Sequence, residues 1–215
     1  MKNQHYSDSR DVSKWSVVVR LAREHLIRHV FHVAMLTEDD ENRGGVTVNG
    51  PEISEDCVVK FFEREHEAFL RGEPKDIGRI TGLPASCGMG FRANVFDRPF
   101  RSLDGQDFRK AYFSDAMDLI ALMEEPSLVL VDPDGGMGGA KGGKRHSQIR
   151  PEELSRLFIR LRPGNGVMLF QHRQNIDSWI KVMEGRFRSA VQGPESIRAF
   201  PDGNALFLVA FKGPK

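Results

Sequence analysis

Cysteine is scarce: Cys57 and Cys87 are the only two in 215 residues. They stand far apart and form no closely spaced ligand pair, which excludes a cysteine-built zinc site. Free thiols in a reducing cytoplasm are the expectation. Long apolar runs are missing as well. No stretch reaches the roughly 18 residues that cross a bilayer, so no membrane span is expected. The segment Met1 to Lys14 is polar and lacks the apolar core of a secretory signal. No internal repeat occurs. Neither charge sign dominates, with 31 Lys+Arg against 30 Asp+Glu. Hydrophobic residues make up 40% and charged residues 28%, which excludes full disorder and fibrous repeats. The length suits one α/β domain over 1–215, with a partly irregular insertion around 44–90.

What charge there is lies unevenly. Residues 1–131 hold 17 basic and 22 acidic side chains, a net −5, and residues 132–215 hold 14 and 8, a net +6. A basic half attracts nucleic acid or another polyanion. The alternative is that these residues line the solvated faces of helices.

Periodicity gives the elements. Asp11 to Glu24 is a predicted helix, with Trp15, Val18, Val19 and Ala22 on one apolar face. Residues 29–36 form a short, β-branched, largely apolar run and are predicted as a strand, followed by an acidic loop. Further helices are predicted over 55–70, 107–123, 151–161 and 178–191, and strands over 91–96, 127–131 and 166–170. The runs at 127–131 and 166–170 are continuously apolar, as in strands buried on both faces. Near the end, 197–200 and 205–211 flank Pro201-Asp202-Gly203-Asn204, a hairpin signal.

Alternating strands and helices predict a mostly parallel sheet covered on both faces. The closing hairpin adds antiparallel strands at its edge. The expected architecture is a Rossmann-like three-layer α/β sandwich with a C-terminal antiparallel hairpin. Over about 127–211 this order, with Asp132-Pro133-Asp134 after a central strand, resembles the Rossmann-like methyltransferases that use S-adenosylmethionine. Asp132-Pro133-Asp134 stands where amino-methyltransferases carry Asp/Asn-Pro-Pro-Tyr/Phe. That resemblance implies that Asp132 and the Pro133 carbonyl grip an exocyclic amine. The sequence departs from the pattern in two places. No G-x-G-x-G follows the strand at 29–36, and Asp134 and Gly135 replace the last two motif residues, so the stacking aromatic is missing.

A second resemblance spans most of the chain. Lys14-Trp15 in the first helix, Asp132-Pro133-Asp134-Gly135-Gly136 and Phe170-Gln171-His172 are similar to signatures of a bacterial and phage-encoded family. That family carries Lys-Trp, Asp-Pro-Asp-Asn-Gly and Tyr-Gln-His. The resemblance implies a shared fold and supplies no activity.

In open α/β sheets, ligands bind beyond the carboxyl ends of the strands. Asp132 and Asp134 stand at one predicted end, Gln171, His172 and Arg173 at another, and Thr37, Asp39 and Asp40 after the first strand. Carboxylates beside an imidazole suit general acid–base chemistry or metal binding. Asp132, Asp134 and His172 are therefore the candidate catalytic residues. Thr37, Asp39 and Asp40 are the candidate cofactor contacts. Lys14, Gln171 and Arg173 are candidate substrate contacts. The bland readings are a turn-capping Asp132, a packed His172, a solvated acidic loop and a helix-packing Lys14.

Six of the nine residues from 135 to 143 are glycine, followed by Lys144-Arg145-His146. The expectation is a mobile loop, either a lid in which Lys141, Lys144 and Arg145 meet a phosphate-rich substrate or a plain flexible linker. It is not a Walker loop, because Arg145 replaces the Ser/Thr that holds magnesium. Three functions follow as expectations. One is a divergent methyltransferase-like protein acting on nucleic acid or a nucleotide with S-adenosylmethionine. Another is a Mg²⁺-dependent nuclease or phosphohydrolase using Asp132, Asp134 and Asp39. The last is a non-catalytic Rossmann-like binding module.

Overall fold

A computed structural model describes residues 6–37, 51–100, 105–123, 126–138 and 147–213, the side chains of 105–107 excepted. Its helices are α1 (Ser9–Glu24), α2 (Asp56–Leu70), a 3-10 helix (Ile77–Gly82), α3 (Leu83–Ser86), α4 (Gly105–Ala121), α5 (Pro151–Arg160) and α6 (Trp179–Ala190). The strands are β1 (His29–Val33), β2 (Arg92–Phe96), β3 (Ser127–Val131), β4 (Gly166–His172), β5 (Pro194–Asp202) and β6 (Ala205–Lys212). They form a six-stranded sheet in the order β2-β1-β3-β4-β6-β5. β1 pairs in parallel with β2 and β3, and β3 with β4. β6 pairs antiparallel with both β4 and β5. The closing hairpin therefore lies at an edge as expected, with β6 inserted between β4 and β5.

Strand alternation assigns the two faces. Val30, Leu128, Leu130, Met168 and Phe170 pack toward α1 and α2. Phe31, Val33, Val129, Val131, Val167 and Leu169 pack toward α4, α5 and α6. The result is a three-layer α/β sandwich with a mostly parallel sheet.

The course of α1 matters most for function. The Asp8 side chain accepts from the Arg10 and Asp11 amides, which starts the helix two residues earlier than its apolar pattern suggests. At the other end, His25 stacks on Phe211, beside the start of β4. α1 thus runs back along the sheet, and its first turn overhangs the carboxyl edge.

The expectation of free thiols does not hold. Cys57 on α2 and Cys87 at the end of α3 are joined in a disulfide, with Cα atoms 5.0 Å apart. Packing of α3 against α2 closes a separation that sequence spacing could not reveal. No helix among the described residues is long and apolar enough to cross a membrane.

Candidate functional site

The chain passes from β1 to β2 on one side and then crosses to β3 on the other. The carboxyl ends of β1 and β3 therefore lie beside a topological switch point, where open α/β sheets form a crevice. The turn there is unusual. Met35 has φ +44° although it is not glycine, and it is fully buried. Its amide donates to the Tyr112 hydroxyl at 3.1 Å. Rossmann folds place glycine at such a turn, and holding another residue there costs about 1–3 kcal/mol. Here the α4 tyrosine holds the left-handed turn in its place.

Beneath the rim, on the α1 face, lies a buried ionic cluster. Lys14 Nζ stands 2.6 Å from both Asp11 Oδ1 and Asp132 Oδ2. His32 Nε2 lies 3.3 Å from the same Asp132 oxygen. Trp15 meets the His32 ring edge-on, and Lys14 sits 5.1 Å from the centre of the Phe170 ring. Burial opposes charge on every member, and the neighbours decide the outcome. For Asp132, Lys14 and the His32 hydrogen bond overcome burial and hold the carboxyl well below the usual range. The two carboxylates likewise outweigh burial at Lys14 and raise it. Burial raises Asp11 and lowers His32, so His32 is neutral and donates from Nε2. Its Nδ1 is buried without a partner among the described residues.

Asp132, at 2% exposure, therefore sits under the rim and not on it. The residues at the open edge are different. Asp134 is half-buried and accepts from Thr37 Oγ1 at 3.4 Å, joining the ends of β3 and β1. His172 is half-buried at the end of β4, with its ring 4.5 Å from that of Phe170. Burial, then the charge of Arg10, push its imidazole down to about 4. Its ring makes no hydrogen bond among the described residues.

Gln171 and His172 are the last residues of β4 itself, because β6 extends the pairing to His172↔Ala205. Gln171 is fully buried and serves as a bracket. Its Oε1 accepts from the Met137 amide at 2.7 Å and its Nε2 donates to the His172 carbonyl at 2.8 Å. Gly136 crosses over this side chain with φ +69°, and a Cβ there would come within 2.4 Å of Gln171 Nε2. Residues 136–138 are buried, and Met137 bridges to Ile149. The expected mobility of the loop therefore does not apply to 135–138, which Gln171 and the Ile149 segment hold. Lys141, Lys144, Arg145, Asp39 and Asp40 lie outside the described residues. Arg173 is exposed, and its guanidinium reaches Asn204 Oδ1 at 3.3 Å, tying β4 to the hairpin turn.

Four residues escaped the sequence reading. Asp11 and His32 complete the buried cluster, and strand alternation from Val30 could have flagged His32. Asp97 is exposed immediately after β2, the edge strand beside β1. Arg10 stands one helical turn before Lys14 and is half-buried, with no side-chain hydrogen bond or ion pair among the described residues.

No family model matches the chain, and no curated protein matches it. The solved structure of a candidate methyltransferase from Thermobifida fusca is similar at 10% identity and a TM-score of 0.32, covering 96% of this chain and 80% of that one. A likeness so remote assigns no activity here.

Proposed function

We propose that the chain is a divergent methyltransferase-like protein that binds S-adenosylmethionine at the carboxyl edge of β1 and β2 and an acceptor in front of β3 and β4. One observation carries this reading: the parallel sheet with its switch point at β1/β3 is completed by an antiparallel β6 inserted between β4 and β5. The resemblance to those methyltransferases implies the mostly parallel sheet with an antiparallel C-terminal hairpin; the insertion of β6 refines it. Thr37, with Asp39 and Asp40, borders the proposed cofactor side. Asp97, exposed at the end of β2 beside β1, offers a carboxylate for a ribose hydroxyl on that side.

On the acceptor side, Asp134 and His172 face the rim, and the buried Asp132 ties the end of β3 to α1 through Lys14 and to β1 through His32. A neutral His172 has one nitrogen free to accept from an acceptor's N–H or O–H. The proposed acceptor class is a nucleotide or nucleic acid, in keeping with the net +6 of residues 132–215.

The Mg²⁺-dependent alternative fares worse on a specific observation. Asp132 would have to leave Lys14, 2.6 Å away, to serve a cation. Calorimetric titration and thermal melts with S-adenosylmethionine, its demethylated product, Mg²⁺ and Mn²⁺ separate the readings, since a ligand selective for the folded state raises its stability. Stabilisation by either nucleoside supports the proposal. Stabilisation by the metals alone moves the assignment to phosphate-ester chemistry, and no response to any of the four leaves the non-catalytic module.

A further inference from the structure

Two elements that approach the carboxyl edge from opposite chain directions can be stepped outward together. Lys14 of α1 faces Phe170 of β4 across 5.1 Å. From Lys14, four residues back along α1 advance about 6 Å toward the edge and arrive at Arg10 on the same helix face. From Phe170, two residues forward along β4 advance about 6.6 Å on the same strand face and arrive at His172. Arg10 thus overhangs His172, one layer outside the buried Lys14–Asp132 pair. The downward push of Arg10 on the His172 imidazole agrees with that placement.

The chemistry of this layer differs from the one below. Lys14 is committed to Asp11 and Asp132. The Arg10 guanidinium has no such partner among the described residues, and neither has the His172 ring. Asp8 attracts Arg10 without forming an ion pair with it and caps α1 through its own carboxylate. Asp134 stands on the β1 side of His172, occupied by Thr37. A half-buried guanidinium supplies a planar fork of donors, and a neutral imidazole adds one N–H.

We propose that Arg10 and His172 form a phosphate-binding subsite, which holds a phosphate of the acceptor in front of β4. The subsite rests on the proposed function only in placing the acceptor at this edge; it needs no cofactor. The charges facing His172 are those of Arg10, Lys14, Asp132 and Asp134. Asp134 opposes an anion, so its neutralisation should strengthen binding.

The test is NMR observation of the His172 ring, assigned with His172→Gln, during titration at low salt. The probes are inorganic phosphate, adenosine 5′-monophosphate and a short oligothymidylate. The parent should show a saturable shift of the His172 signals, and the midpoint of its titration should move upward from about 4 as phosphate favours the imidazolium. Arg10→Ala should weaken binding roughly tenfold, the scale of a lost charged hydrogen bond. It removes no side-chain hydrogen bond or ion pair among the described residues, so the fold should persist; circular dichroism checks this. Asp134→Asn should bind more tightly. Saturation by the oligonucleotide at lower concentration than the mononucleotide supports a polynucleotide source, and the reverse a free nucleotide. No saturable shift with any probe, or equal affinity in parent and Arg10→Ala, overturns the subsite. A parallel titration with S-adenosylmethionine keeps the two ideas apart. Cofactor binding with silent phosphate removes the subsite alone, and phosphate binding without cofactor removes the methyltransferase reading alone.

Discussion

Replacing Lys14 by methionine keeps the length of the side chain and removes the ammonium that Asp11 and Asp132 share at 2.6 Å each. All three groups are buried, so water cannot take over the solvation of the two carboxylates. Breaking a buried pair from one side costs about 3–5 kcal/mol. That is a large part of the 5–15 kcal/mol typical of a folded domain. At about 2–4 °C per kcal/mol for a chain of this size, the melting temperature should fall by roughly 6–20 °C. The pH dependence identifies the cause. In the parent, Asp132 is held below its unfolded value, so its contribution is complete above the ordinary carboxylate range and fades as pH falls. In Lys14→Met, burial acts on Asp11 and Asp132 without that counter-charge and raises both. Protonation then relieves the variant, and its deficit should shrink between pH 7 and pH 4.5. Guanidinium unfolding at both pH values measures this. Adding Asp132→Asn should destabilise the parent but be neutral or stabilising in Lys14→Met, a coupling of about 2 kcal/mol. A Lys14→Met cost below about 1 kcal/mol, or a deficit that stays constant down to pH 4.5, would refute the reasoning.

Gly136→Ala should cost at least 1–3 kcal/mol, because φ is +69° and the new methyl would meet the Gln171 amide, whereas Gly185→Ala, with open space around it on α6, should gain up to about 1 kcal/mol. Denaturant midpoints of the two variants provide that contrast. Reducing the Cys57–Cys87 disulfide opens a loop with a separation of 30 residues, and the chain-entropy relation predicts a loss of about 3–4 kcal/mol, read as a lower melting temperature with a reductant. His172 should titrate near 4 by NMR. Since the unfolded chain takes up that proton first, stability should fall as pH drops from about 6.5 toward 4, and His172→Gln should flatten that part of the profile.

Much of this layout is written in local pattern. The continuous apolar runs at 127–131 and 166–170 mark strands buried on both faces, and Pro201-Asp202-Gly203-Asn204 marks the hairpin. What local pattern omits is pairing across long separations. Lys14 and Asp132 are 118 residues apart, and their contact follows only from α1 running back over the sheet. Cys57 and Cys87 meet because α3 folds onto α2. Gln171 and His172 belong to β4 because β6 pairs alongside them, which periodicity within 166–170 cannot show. Met35 violates the glycine preference of its turn, and the Tyr112 hydroxyl that holds it comes from α4, 77 residues away.

Amide chemical-shift mapping with the demethylated cofactor product tests the proposed ligand edge most directly. The account predicts saturable shifts confined to the carboxyl edge of the sheet, at Thr37, Asp97 and the 132–138 segment, with the amides at the opposite ends of β1 and β3 unchanged. Shifts centred on the amino edge, or none at saturating ligand, would contradict it.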